Sequence, residues 1–226
     1  MTVTPFVTLP VGDVILASAS ATRAKLLRDA GVSFFQYPVT IDEEAVRVAG
    51  IADGIPASDI AVMLAEMKAA AAYQRLVIEQ IVTPAYILGC DQILVCDGNI
   101  FRKPKDINEA KSQLSVLSGK THQLLTAIVL FQYGERIWHH SSVANLTMRY
   151  FDHDFIDGYL SQLGDAAFLS PASYQIESIG VHLFSEIKGC HYSIFGIPLL
   201  ELMVILREHG LSPIESKSQN KFGSGS

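Results

Sequence analysis

The sequence predicts an α/β fold built on a β-sheet of mixed direction with flanking helices. Three observations carry this. Tyr86 to Asp106 (YILGCDQILVCDGNIFRKPKD) holds an apolar run, an Asp97-Gly98 pair suited to a type I′ turn and a returning segment Asn99 to Lys103, which is the pattern of a β-hairpin. Lys120 to Tyr133 and Arg136 to Tyr150 form a longer pair of strand-like runs joined at Gly134-Glu135. Segments with helical spacing and stop signals lie between these runs, so the sheet cannot be built from hairpins alone.

At 226 residues the chain is long enough for one large domain or two small lobes, with a sizeable core in either case. Its hydrophobic content is 49%, but charged and polar residues interrupt every apolar stretch before membrane-spanning length, so no membrane association is expected. The opening MTVTPFVTLPVGD lacks a basic n-region and a continuous apolar core, and a cytoplasmic location is expected. Cys90, Cys96 and Cys190 have no C-x-x-C spacing and read as reduced core thiols. A formal net charge of −6 without a basic run argues against a nucleic-acid polymer as partner, though a few cations gathered in one place can still hold a small anion.

In chain order, Val14 to Ala17 is a short buried strand, followed by Ser18-Ala19-Ser20-Ala21-Thr22-Arg23 and a helix with Leu26 and Leu27 on its apolar face and Gly31 as its stop. Strand, small polar turn and helix start together favour an anion above the strand end, with Arg23 pointing into the same space. An ordinary N-cap at Ser18 or Ser20 with Arg23 in solvent accounts for the same residues. Val32 to Thr40 is a second strand, running into the acidic Ile41-Asp42-Glu43-Glu44, which suits a divalent cation, a solvated loop or a helix start.

Gly50 to Ala57 is expected as a loop before a long helix, Ser58 to about Glu79, with Ile60, Met63, Leu64, Met67 and Ala71 as its stripe. Lys68 lies beside that stripe amid the small-residue run Ala69 to Ala72, free either to snorkel or to point into a cleft. After the hairpin, Asp106 and Glu109 form a capping-box pattern for a helix ending near Gly119. Asp152 to Leu163 is a helix stopped by Gly164, Gly180 to Ile187 a strand, and Ile197 to His209 a final helix with Pro198 in its first turn. His139-His140 lacks metal-ligand spacing and is taken as a strand-edge feature. The domain is expected over residues 1–211, with 212–226 a disordered polar tail whose terminal GSGS has linker character.

The residue that stands out is Asp91, a carboxylate inside a strand otherwise composed for burial, which needs compensation. Pairing outward from Asp97-Gly98 sets Cys96 against Asn99 and Gln92 against Lys103, placing Lys103 within reach of Asp91. A buried ion pair and a general base held near a polyanion both fit this arrangement.

Four stretches, in this order, resemble the Maf family of nucleoside triphosphate pyrophosphatases: LASASATRAKLL (Leu16 to Leu27), GCDQILVCDGNIFRKP, SGKTHQLLT (Ser118 to Thr126) and GIPLLELMVILREHG. The resemblance spans roughly residues 14–211 and implies an elongated mixed sheet with two lobes around a central cleft, a nucleoside triphosphate substrate and a homodimer. It implies hydrolysis between the α and β phosphates to a monophosphate and pyrophosphate. Asp91 would be the catalytic residue, and Ser18, Arg23, Lys68 and Lys103 would bind phosphate. Glu43 and Asp91 would hold a divalent metal cation, Mg²⁺ or Mn²⁺.

Gln92 and Glu177 look like the subgroup acting on 7-methyl-GTP, where a carboxylate can accept the donors of a positively charged methylated guanine edge. The dTTP/UTP subgroup has Thr and Gln at these places. Where the family carries Pro-Arg, or Pro-Trp in that subgroup, this chain has Ala21-Thr22, so Thr22 offers neither an aromatic plate nor a second guanidinium. A weakly catalytic nucleotide-binding regulator of cell division is the alternative that this departure keeps open.

Overall fold

The structure, a computed structural model, describes residues 14–81 and 86–212. The N-terminal lead and the tail beyond Ser212 lie outside the described residues. Seven strands form one mixed sheet: β1 (Val14–Leu16), β2 (Phe34–Gln36), β3 (Tyr86–Cys96), β4 (Asn99–Phe101), β5 (Thr121–Gln132), β6 (Glu135–Met148) and β7 (Phe184–Lys188). Their order is β2-β1-β3-β5-β6-β7, with β4 beside β3. β1 is parallel to β2 and β3, and the remaining pairs are antiparallel. The helices are α1 (Ala21–Asp29), α2 (Glu43–Ala52), α3 (Ala57–Ile78), α4 (Ile107–Leu117), α5 (His153–Leu163), α6 (His191–Ile194) and α7 (Leu199–Glu208). Among the described residues no helix is long and apolar enough to cross a membrane.

The hairpin turns at Asp97 and Gly98, both at positive φ (50° and 78°), with Cys96 opposite Asn99 as the turn chemistry predicts. It is shorter than expected. The ladder stops at Leu94 opposite Phe101, so Gln92 does not face Lys103; it pairs with Thr126 on β5. The returning strand is drawn off where the Gln113 side chain takes the Arg102 carbonyl (3.0 Å), and the buried Pro104 has no N–H to continue a ladder.

This early departure shapes the sheet. β5 occupies one edge of β3 from Ile87 to Val95, whereas the other edge is shared between β1 (Tyr86–Leu88) and β4 (Leu94–Cys96). Between β1 and β4 the backbone of β3 from Gly89 to Ile93 therefore has an open edge, centred on Asp91.

Side-chain alternation along β3 then sorts residues onto two faces. Ile87, Ile93, Ile15, Ala17 and Val129 pack under α3 on one face. The opposite face is divided: Leu16, Leu27, Leu88, Cys90 and Leu202 form one cluster with α1 and α7, and Leu94, Leu114, Leu146 and Leu160 form another with α4 and α5. Cys90 and Cys96 are free and buried in these clusters, and burial raises the Cys90 thiol to about 11, so it behaves as a core group.

Helix α3 has the expected length, and Ile60 and Leu64 of the expected stripe are buried, but the inward face is rotated away from the two methionines. Met63 and Met67 are 36% and 41% exposed, and the buried stripe is Ile60, Ala61, Leu64, Ala65, Lys68, Ala69 and Ala72. Small side chains let the helix sit close to the sheet: a Cβ on Gly89 would lie 2.1 Å from the Ala65 carbonyl oxygen. The expected stripe is right at Ile60 and Leu64 and wrong at Met63 and Met67, because close approach selects alanine over methionine here.

Helix α2 replaces the first part of the expected loop. Asp42 caps it by accepting from the Ala45 N–H (2.9 Å), and Glu43 and Glu44 sit in its first turn, where the helix dipole favours acids. The second strand is shorter than Val32 to Thr40. The residues before Phe184 form a 3₁₀ turn in place of strand, and α7 starts at Leu199, after Pro198.

Candidate active site

At the open edge of β3, Asp91 is 4% exposed and shares its face with α3. Lys68, one of the inward positions of α3 and 9% exposed, donates to Asp91 Oδ1 at 2.6 Å. The partner expected from hairpin register was Lys103. That lysine is exposed, and the ion pairs of Asp91 are with Lys68 and, at 4.0 Å, with Arg47.

Lys68 also bridges to Glu43 Oε1 at 2.7 Å, and Arg47 holds Glu43 Oε2 at 2.7 Å from one turn along α2. Burial pushes the Glu43 carboxyl up, but the hydrogen bonds and charges of Lys68 and Arg47 outweigh it and hold the group at about 2. A second contact fixes α2: Glu44 pairs with Arg102 at the hairpin exit (2.5 Å).

Arg23 reaches the same edge from α1. The Cys90 carbonyl points toward the missing neighbour, and Arg23 donates to it at 3.0 Å in place of a strand. The same guanidinium donates to Ser18 Oγ at 3.2 Å and to the Gly196 carbonyl at 3.0 Å. The two serines divide their work: Ser20 caps α1 by accepting from the Arg23 N–H (3.3 Å), while Ser18 is buried and positions the Arg23 side chain. Arg23 is thus a half-buried organiser of the gap, beyond what an N-cap and a solvated cation would give.

Gln92 projects from the face opposite Asp91, into the division between the two apolar clusters. Its amide donates to Thr126 Oγ1 (2.8 Å) and to the carbonyls of Ser193 (2.9 Å) and Ile194 (3.2 Å), the open C-terminal end of α6. Thr22 and Glu177, 155 residues apart in sequence, meet: the Thr22 hydroxyl donates to Glu177 Oε1 at 3.1 Å. In the Ser118 to Thr126 stretch His122, Leu124, Leu125 and Thr126 are buried, while Lys120, Thr121 and Gln123 face solvent. Ser118 ties to the Phe151 backbone, and His122 is buried between Tyr174 and Phe184 with Nε2 2.9 Å from the Tyr174 hydroxyl. Burial lowers His122 to about 4, so it stays neutral.

Arg47 is the residue the sequence reading missed. Its signal is Glu43 and Arg47 four apart behind an Asp N-cap, a spacing that counts only under the helix-start alternative for the acidic cluster.

As for a metal, Asp91 Oδ2 is buried without a hydrogen-bond partner, and Glu43 stands across Lys68 from it. Two carboxylates suit Mg²⁺ or Mn²⁺, which take few protein oxygens and complete their shell with water and phosphate. Among the described residues no group of three or more His, Cys, Asp or Glu is gathered to hold an ion by itself. A shallow hollow of about 510 Å³ lies elsewhere, lined by Arg149, Tyr150, Phe151, Asp152 and Phe155.

Comparison with known proteins places this geometry in a lineage. The family model described as Maf-like protein matches residues 13–209. A nucleoside triphosphate pyrophosphatase of Paramagnetospirillum magneticum is 42% identical over 196 residues, covering 87% of this chain and 98% of that protein. A 7-methyl-GTP pyrophosphatase of Brucella abortus is 41% identical over 193 residues, covering 85% and 94%. A nucleoside triphosphate pyrophosphatase of Nitrobacter hamburgensis is 43% identical over 199 residues, covering 87% and 94%. With a buried carboxylate, its lysine and its arginine gathered at one break in the sheet, and with these matches along nearly all of its folded length, the chain belongs to the Maf family.

Proposed function

We propose that this protein is a nucleoside triphosphate pyrophosphatase, a hydrolase of acid anhydrides that releases pyrophosphate and a nucleoside monophosphate. The observation that carries this reading is Asp91: buried beside the open edge of β3, ion-paired through one oxygen to Lys68, with the other oxygen lacking a hydrogen-bond partner. The names of the relatives support the same activity.

In this reading a water oxygen adds to the α phosphorus, Asp91 takes the water proton, and the bond from that phosphorus to the α–β bridging oxygen breaks, so that pyrophosphate leaves with the bridging oxygen and the monophosphate keeps the water oxygen. Arg23 and Lys68 supply fixed positive charge for the phosphate oxygens, Ser18 holds Arg23, and the exposed Lys103 meets the outer phosphates. Asp91 and Glu43 would hold Mg²⁺ or Mn²⁺, which supplies further neutralisation of phosphate charge.

The substrate favoured is 7-methyl-GTP. Glu177 presents an exposed carboxylate next to Thr22, suited to accept the donors of a cationic guanine edge, and the Brucella relatives carry that substrate in their names. Gln92 acts on base choice indirectly, through its hold on α6. A panel of 7-methyl-GTP, dTTP, UTP and dITP scored for pyrophosphate release tests this. The expected result is release from all accepted substrates with 7-methyl-GTP turned over fastest. A preference for dTTP or UTP overturns the base assignment, and tight binding without any release overturns the enzyme.

A further inference from the structure

Among the groups ion-paired to one another at the sheet gap, Asp91 and Glu43 carry two negative charges and Lys68 and Arg47 two positive ones, while Arg23 is held apart from them by Ser18 and two backbone carbonyls. Lys68 has a place in the reaction above; Arg47 has none. Yet its side chain is only 17% exposed and its guanidinium faces both carboxylates, at 2.7 Å from Glu43 Oε2 and 4.0 Å from Asp91 Oδ2. The second of these is the oxygen that lacks a hydrogen-bond partner.

We propose that Arg47 is a built-in counter-ion that competes with a divalent cation for Glu43 and Asp91 and, once displaced, becomes an additional phosphate ligand. The second half rests on the function proposed above. The exchange is charge-neutral in its logic. A divalent ion landing on the two carboxylates brings the same two positive charges that Lys68 and Arg47 supply. Those cations are then freed at the place where a triphosphate carries its own negative charge.

Two features make Arg47 suited to this. It approaches Asp91 to 4.0 Å, near enough to stabilise the carboxylate by charge but too far for a hydrogen bond, so no strong bond must break there. A guanidinium also matches phosphate oxygens in a forked geometry as well as it matches a carboxylate, so the same group serves both states. Its seat on α2 is fixed independently through the Asp42 cap and the Glu44–Arg102 pair, so release from Glu43 does not require the helix to unwind.

The test compares wild type, Arg47→Gln and Arg47→Lys in two titrations, with thermal melts to verify folding. The first follows Mn²⁺ binding to nucleotide-free protein by electron paramagnetic resonance. The second follows binding of a non-hydrolysable α,β-methylene nucleoside triphosphate at saturating Mn²⁺. Losing one charge-assisted contact changes affinity by about tenfold or more. Arg47→Gln is therefore expected to bind Mn²⁺ about tenfold more tightly and the analogue about tenfold more weakly, with Arg47→Lys, which keeps the charge but not the fork, measurably shifted in the same directions by less.

Unchanged or weaker Mn²⁺ binding in Arg47→Gln, or no Mn²⁺ binding by any of the three proteins, overturns the competition. Tighter Mn²⁺ binding with unchanged analogue binding overturns the phosphate half alone. Should Arg47→Gln fail to fold, Arg47→Lys still decides: the shorter side chain must weaken the analogue, and equal binding of both ligands overturns the proposal. A wild type that binds Mn²⁺ but releases no pyrophosphate from any triphosphate overturns the function proposed above and leaves the Mn²⁺ result standing.

Discussion

Asp91 and Gln92 are neighbours in β3, yet the pleat sends them to opposite faces of the sheet and into different chemistry. Asp91 meets Lys68, Glu43 and Arg47, an ionic network brought by two helices from one side. Gln92 meets neutral acceptors: a threonine hydroxyl and the end carbonyls of α6. The same α6 segment, through Gly196, also holds Arg23. One face carries the ionic network of Asp91, and the other ties the strand to α6 through neutral hydrogen bonds. The buried His122, on the Gln92 face, is likewise kept uncharged.

That contrast can be broken from either side. The largest effect belongs to Asp91→Asn, expected to fold and to lose at least about a hundredfold in turnover, measured as pyrophosphate release at saturating substrate. A variant of undiminished rate would remove Asp91 from the chemistry. Lys68→Met leaves a buried carboxylate without its closest cation, and a stability loss of about 3 kcal/mol or more is expected by urea unfolding. A loss near zero would mean that Arg47 takes over the pairing.

On the neutral face, His122 is protonated more readily in the unfolded chain than in the folded one, since burial lowers it from its ordinary 6.5 to about 4. Its contribution to stability is therefore complete above pH 6.5 and declines as pH falls toward 4, by about 3 kcal/mol in total. The melting temperature should fall less steeply over this window in His122→Asn; parallel slopes would contradict the buried neutral histidine.

Gln92→Leu removes the tie to α6 without touching the ionic face. About 1–2 kcal/mol of stability should be lost, with a shift in the ratio of 7-methyl-GTP to UTP turnover and little change in Mn²⁺ dependence. A changed Mn²⁺ dependence with an unchanged base ratio would show that the two faces do not act separately. The smallest effect is expected from Thr22→Ala, an exposed contact to Glu177 whose loss should alter base preference severalfold and stability by less than about 0.5 kcal/mol.

Local signals were read correctly where local chemistry decides. The Asp97-Gly98 turn, the Asp106 cap, the helix ending at Leu163, the long β5–β6 pair and the span of α3 all follow from residues adjacent in the chain. At the acidic cluster the sequence offers a helix start only as one alternative, because Gly50 is the one fully buried residue of α2 while Val48 and Ile51 are exposed. Its inward face is narrow, Val46 and Gly50 against the core under α3, and a cap and ion pairs with distant groups support the rest.

The chain order alone therefore determined that a carboxylate would sit in a buried strand next to a tight turn, and that basic residues would be available to meet it. Which of them do so was decided by three-dimensional packing. Lys68 reaches Asp91 because Gly89 and a line of alanines let α3 settle onto the sheet, and Lys103 does not because the hairpin peels away after Phe101. The physical reason is that turns and caps are set by neighbouring dihedral angles and hydrogen bonds, whereas a pairing of charges across elements depends on distances that exist only after the layers have closed on one another.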